Sequence, residues 1–392
     1  MTDKPNWFER HSKKTLFLVV AVFIIFALGF TEYLLEQGLP QQPVTRSIRL
    51  KEHTPLTHGV HAASKRGLKM RGGVAVDNLE ETDYLFRTDE QGFIMPSKVH
   101  ETPDLSMVFL GGSTTECNFV EEESRFPYLS GVLLGQKLGK KINSYNSGVS
   151  GNNTMHCLDL LLNKVLAMRP DIVLLMENFN DVNILLFTGS YWNDHGSRSL
   201  LVTSDRGKGR GQRLWEAFTE TVFPGISYRL HSSILGGRNL DEFARERTSG
   251  AVSEAITSQD YEANLVNFVQ ICNARGIMPV LMTQFNRFSA TPDDLTKKAM
   301  RKFGRDWGVD YGTYKGYLDS FNDVAREVAT EHNGLLIDLD KQVPKNNAYI
   351  YDVVHINTEG SKLVASLIAE QLAQSVEVQN LLRAKNQSLS EK

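Results

Sequence analysis

Hydrophobic and polar positions change rhythm three times along this chain. Residues 16–30 form an unbroken apolar run interrupted only by glycine, with Arg10, His11, Lys13 and Lys14 before it and Glu32 and Glu36 after it. A window of 15–35 matches the roughly 20 residues needed to cross a bilayer as one transmembrane helix. The basic flank then assigns residues 1–14 to the cytoplasm, and everything after about residue 36 to the outside of the cell membrane. The competing expectation is a cleaved signal peptide, with Ala27-Leu28-Gly29 as a small-x-small site. Residues 36–104 are polar with short hydrophobic stretches. Within them, 83–87, 89–92 and 93–95 read as strand, turn and strand, a small β-rich lead-in.

From residue 105 apolar runs alternate with helical periods. Strands are expected at 105–110 (LSMVFL), 141–145, 171–176 (DIVLLM), 277–283 (IMPVLMT) and 335–339. Helices are expected at 125–138, 154–168, 259–275, 314–332 and 358–376. This order predicts an α/β domain over 105–376, a parallel sheet of five strands covered by helices on both faces. Sites in such sheets lie beyond the carboxyl ends of the strands. An insertion over about 183–258 breaks the rhythm. It carries a basic, glycine-rich stretch at 205–213 and an amphipathic one at 214–235, and reads as a lid, a substrate-binding loop or an irregular surface excursion. Residues 377–392 read as a polar, fraying tail.

Composition narrows the classes. Of 392 residues, 41% are hydrophobic and 23% charged, and 43 basic against 46 acidic side chains leave a net charge of −3. That is ordinary globular composition, with no electrostatic case for a nucleic-acid partner. Cys117, Cys157 and Cys272 are too few for a disulfide scaffold and have no zinc-ligand spacing; one pair and one free thiol are possible.

Candidate chemistry sits at four strand ends. Gly111-Gly112-Ser113-Thr114-Thr115-Glu116 follows the first strand. There Ser113 is either a nucleophile at the positive end of a helix or, with Glu116, a capping box. Asn146-Ser147-Gly148-Val149-Ser150-Gly151 follows the second, where glycines leave backbone amides uncovered. Glu177-Asn178-Phe179-Asn180-Asp181 follows the third, and the neutral amide of Asn180 suits an oxyanion hole or a cap. Tyr351-Asp352-Val353-Val354-His355 follows the fifth, and its spacing lets Asp352 orient His355 as a general base. Each motif alone has a bland explanation. Their conjunction points to one site. His156 and His195 read as loop residues without a partner.

With these blocks the sequence resembles the SGNH/GDSL hydrolase family, over about residues 105–376 without the insertion. Gly112 stands where that family usually has aspartate, and Asn178 where it usually has glycine. The resemblance implies a flavodoxin-like three-layer α/β/α sandwich and serine-based ester chemistry. Ser113, Asp352 and His355 would be catalytic, and the Ser113 N–H, the Gly151 N–H and the Asn180 amide would form the oxyanion hole, with Gly148 a weaker donor candidate. No metal or organic cofactor is implied. Family analogy suggests an O-acyl (acetyl) esterase acting on cell-surface glycan, and Tyr191-Trp192-Asn193 would suit a polar sugar. Two alternatives stay open: an O-acyltransferase using the same serine, and a catalytically silent anchored scaffold for envelope polysaccharide assembly.

Overall fold

A computed structural model describes residues 7–38, 46–48, 50–63, 76–192, 200–203, 215 and 258–390. Its N-terminal unit, residues 1–46, holds the apolar run in a helix, α1 (Ser12–Gly38). Leu16, Phe17, Leu18, Val19, Val20, Val22, Phe23, Ile24 and Phe26 are all exposed along it, so no single face is apolar. Among the described residues no helix is long and apolar enough to cross a membrane. The side chains of residues 25 and 28–38 lie outside the described ones, as do residues 39–45, so the expected 15–35 span is covered only in part.

The second unit, residues 47–392, opens with β1 (His58–Ala62) and β2 (Asp83–Arg87), paired antiparallel with Val60 opposite Leu85. This corrects the strand–turn–strand expectation. The ladder partner of 83–87 is 58–62, while Ile94 makes only single bridges to Thr88 and Asn146. Arg125, almost fully buried, ties this lead-in down by donating to the carbonyls of Leu85 (2.5 Å), Met95 (3.1 Å) and Cys117 (3.3 Å).

The remainder alternates as the pattern predicts. β3 (Leu105–Gly111) leads to a short α2 (Ser113–Glu116) and α3 (Phe126–Leu138), then β4 (Ile142–Asn146) and α4 (Thr154–Leu160). A π-turn at Leu161–Val165 carries α4 on toward Met168. β5 (Ile172–Met176) and α5 (Phe179–Thr188) precede the insertion; α6 (Gln259–Ala274), β6 (Met278–Met282), α7 (Asp294–Trp307), α8 (Tyr311–Glu331), β7 (Leu335–Ile337), α9 (Thr358–Gln374) and α10 (Val376–Ser390) follow it. The sheet order is β4-β3-β5-β6-β7, all parallel.

Period-two alternation sends side chains to two cores. Val108, Leu110, Val173 and Leu175 pack with α4, α6 and α8 on one face. Met107, Phe109, Ile172, Leu174 and Met176 pack with α3, α9 and α10 on the other. Helices therefore cover both faces, giving a three-layer α/β/α sandwich. One helix is added to the expected set and one expectation is corrected. Asp294–Trp307 is helical, with Asp293 capping it by accepting from the Thr296 N–H (2.8 Å). The polar tail is also a helix: Val378 and Leu382 are buried in the second core, and Lys385 pairs with Asp171 at 2.8 Å. Of the insertion, Asn183 to Thr188 finish α5, whereas 193–199, 204–214 and 216–257 lie outside the described residues. All three cysteines are buried and free, which excludes the pairing.

Register aligns the strand ends. Phe109 lies opposite Asn146, and Gly111 opposite Met176, so Ser113, Ser147 and Glu177 emerge along one edge.

Candidate active site

Two glycines let β3 turn into α2. A Cβ on Gly111 would stand 2.2 Å from Thr115 Oγ1, and one on Gly112 would stand 2.5 Å from Asn180 Nδ2 and 2.6 Å from Glu177 Oε1. Glycine in place of aspartate at 112 thus has a steric reason here. Gly112 is the N-cap of α2 and no side chain caps that helix. The capping-box expectation for Ser113 is overturned. Glu116 instead accepts from Ser150 Oγ and pairs with His53 Nε2 at 3.1 Å. As the first residue of the helix, Ser113 also has one of the N–H groups that no intrahelical carbonyl can satisfy.

The Ser113 hydroxyl faces His355 Nε2 at 2.7 Å, and His355 Nδ1 faces Asp352 Oδ2 at 2.7 Å. Asp352 Oδ1 accepts from the backbone N–H of Val354 (2.8 Å) and His355 (2.7 Å), so the carboxylate is held by its own loop. An ionised Asp352 places the proton on Nδ1, which leaves Nε2 to accept from the serine. Burial works against the imidazolium, but the charge and hydrogen bond of Asp352, with a further contribution from Glu116, outweigh it and raise the His355 pKa. Burial likewise pushes Asp352 up, and His355 with the two backbone donors brings it below the usual carboxylate range. A general base works in its neutral form. Turnover should therefore rise with pH with its acid-side midpoint above the ordinary histidine value of about 6.5. A pH profile of kcat/KM for ester hydrolysis checks this; a midpoint below that value would contradict the Asp352 pairing.

The loop carrying this pair is clamped from beneath. Arg287 donates from its backbone to Val353 O (2.9 Å) and from Nη1 to Ile350 O (3.1 Å). The same guanidinium grips Asp77 through two bonds (2.6 and 2.8 Å) and Asp293 through Nε (2.6 Å). The Tyr351 ring stacks on that of His355, centroids 5.8 Å apart.

On the oxyanion side Asn180 sits in the first turn of α5, and its Nδ2 donates to Asn152 O at 2.7 Å. Gly151 has φ +75°, a left-handed conformation that disfavours any side chain. The Gly148 N–H is committed to Asn146 Oδ1 (2.9 Å), which removes Gly148 as a donor. Asn178 turns away from the site and donates to Leu318 O (2.8 Å). His156 is not a loop residue: it is buried in the first turn of α4 in a reciprocal cap with Asn153. Tyr191 is buried with its hydroxyl on Asp181 (2.5 Å), Trp192 is exposed, and Asn193 and His195 lie outside the described residues. Among the described residues no group of three or more His, Cys, Asp or Glu side chains could hold a metal ion.

The model of the GDSL-like lipase/acylhydrolase family matches residues 109–363. The chain belongs to that family. Its chemistry is accordingly the hydrolysis of ester bonds. Two solved structures are similar to it at low identity. One is the acetylxylan esterase Axe2 from Geobacillus stearothermophilus (17% identical, covering 70% of this chain and 96% of its own, TM-score 0.40). The other is LAE5, an α/β hydrolase from the metagenome of Lake Arreo, Spain (16%, 68% and 94%, TM-score 0.40). No curated protein matches.

For a member of the GDSL-like family, the structure adds site-side residues that the sequence pattern did not single out. Lys51 and His53 come from the lead-in: Lys51 Nζ lies 3.1 Å from where a Gly151 Cβ would stand, and His53 Nε2 lies 3.0 Å from Gly148 O. Gln284, beyond β6, donates to Thr114 Oγ1 (2.8 Å) and accepts from the Phe179 N–H (2.7 Å), bridging the serine turn to α5. Neither motif nor spacing marks these residues, because their partners are 95 to 170 positions away.

Proposed function

We propose that this family member cleaves esters by attack of Ser113 on the acyl carbonyl, with His355 taking the serine proton and Asp352 holding the imidazole. The Ser113 N–H, the Gly151 N–H and the Asn180 amide stabilise the tetrahedral oxyanion, and water releases the acyl group after His355 returns its proton to the leaving alcohol. The observation that carries this reading is the continuous chain Ser113–His355–Asp352, with both links at 2.7 Å. The two departures from the family pattern have local explanations, packing at Gly112 and hydrogen bonding at Asn178, and so lend no support to a silent scaffold.

The substrate we infer is an O-acetylated glycan outside the cytoplasm. Support comes from the exposed Trp192 ring just past α5, a surface on which a sugar can stack, and from the apolar run at 16–30 with its basic flank. In this reading the run attaches the protein to the membrane. Tyr191 is withdrawn from the sugar-binding role, since its hydroxyl is spent on Asp181. The full-length protein in detergent, given an acetylated polysaccharide, should release acetate in a Ser113-dependent manner. Release from small activated acetates but from no polysaccharide would reject the glycan and leave the esterase. Transfer of acetyl to an added sugar in preference to water would instead favour the acyltransferase.

A further inference from the structure

Behind the oxyanion side lie two carboxyl groups that the mechanism above does not use. Glu177 opens the turn after β5 and is 2% exposed; Asp181, one turn later on α5, is fully buried. Their surroundings differ. Asp181 Oδ1 accepts from the Thr154 N–H (3.0 Å), the Thr154 hydroxyl (2.6 Å) and the Tyr191 hydroxyl (2.5 Å). Neither side-chain oxygen of Glu177 has a hydrogen bond of ordinary geometry, although the Asn180 side chain and the Asn178 N–H lie close enough to favour its anion. Yet Oε1 points at the most sensitive place in the site. It would stand 2.6 Å from a Cβ on Gly112, beside the Asn180 Nδ2 that would stand 2.5 Å from the same atom.

We propose that Glu177 is a positioning residue of the oxyanion hole, holding the Asn180 amide against Gly112 and leaving one of its N–H bonds for the developing oxyanion. The Asn180 amide has two N–H bonds, and one is spent on Asn152 O at 2.7 Å. The second is what an oxyanion needs. A carboxylate at Glu177 would compete for it and set a negative charge beside the forming one, whereas the neutral acid offers only a weak acceptor and fills the space. Charge is divided between the two acids by their partners, as in other sites where environments push paired carboxyls apart. The ionisable groups facing Glu177 are Asp181 on α5, Lys51 from the lead-in, Cys157 on α4 and Tyr261 on α6. Lys51 is the cation that acts on Glu177, and Asp181 has the hydrogen bonds that stabilise an anion. Burial raises Asp181 to about 6 against those bonds. Burial, then the Asp181 charge, hold Glu177 well above the usual range despite Lys51, the Asn180 side chain and the Asn178 N–H. Glu177 is therefore the acid of the pair that holds its proton to higher pH.

This inference rests on the oxyanion role proposed for Asn180. The test compares the full-length protein with Glu177→Ala and Glu177→Gln in activated-ester turnover from neutral to alkaline pH. Glu177→Ala should lower kcat more than about tenfold with KM within about twofold. Glu177→Gln, a neutral side chain of the same shape, should restore most of that loss and lack the alkaline decline that wild type shows as Glu177 ionises. Alongside, the infrared carbonyl band of a protonated carboxyl should be present in wild type at neutral pH and absent in Glu177→Gln. An alkaline decline unchanged in Glu177→Gln, or a protonated-carboxyl band that survives the substitution, would overturn the proposal. The infrared result stands without turnover, so a wild type that cleaves no ester would remove the esterase mechanism and still decide the state of Glu177.

Discussion

Ser113→Ala should reduce ester turnover by about a thousandfold or more while leaving the thermal midpoint nearly unchanged. Both halves follow from one geometry. The hydroxyl is spent on His355 Nε2 at 2.7 Å and not on a helix N-terminus, because Gly112 occupies the N-cap position and no side chain caps α2. Had Ser113 been a cap, its loss would have cost about 1 kcal/mol and left turnover alone. Alanine at the first position of a short helix removes no backbone partner. The measurement is turnover of an activated acetate together with a melting curve for both proteins. Activity surviving within about tenfold would reject Ser113 as the nucleophile, and a large fall in the midpoint would reject the reading of its hydroxyl as spent on catalysis.

Asp352→Asn should cost a similar amount by a different route, on the order of 10⁴ in kcat, the size known for a triad whose histidine is held in the wrong tautomer. The amide oxygen can keep the two bonds from Val354 and His355 that Oδ1 now accepts, so the loop stays in place. Where Oδ2 now accepts from Nδ1, an amide N–H would donate to it. The ring proton then moves to Nε2, which faces Ser113 and can no longer take its proton. Loss of the carboxylate also removes the charge that raises His355, so any residual activity should have its acid-side midpoint shifted downward. Kinetics across pH for the variant check both effects. Wild-type kcat in Asp352→Asn would show that the carboxylate orients nothing that matters.

Much of this site is legible in the sequence alone, for physical reasons that differ by residue. The parallel strands are buried on both faces and so read as continuous apolar runs, and the site residues follow their ends directly. Asp352 and His355 lie three apart, a distance at which sequence spacing still means spatial contact. Ambiguity persisted at Ser113, where a nucleophile and a cap use the same residue type, and only the hydrogen bond to a residue 242 positions away separates them. Errors came where polarity misleads. The tail reads as frayed because few of its residues are apolar, yet Val378 and Leu382 fall one turn apart and anchor α10 in the core. Asp294–Trp307 was missed for a related reason, being rich in lysine and arginine with apolar residues on one face only. Tyr191 suits a sugar by composition but is buried, since composition cannot say which side of an aromatic pair faces solvent. Arg287 and Asp77, which fix the histidine loop, meet across 210 residues and leave no local trace.

The central claim is that Ser113 is a nucleophile activated by His355. The most direct measurement exposes the full-length protein to a serine-reactive organophosphorus probe, then locates the adduct by intact mass and peptide mapping. The mechanism predicts one adduct per chain, on Ser113, formed fast in wild type, slowly in His355→Gln and not at all in Ser113→Ala. A wild type that stays unlabelled, or an adduct on any other residue, would contradict it.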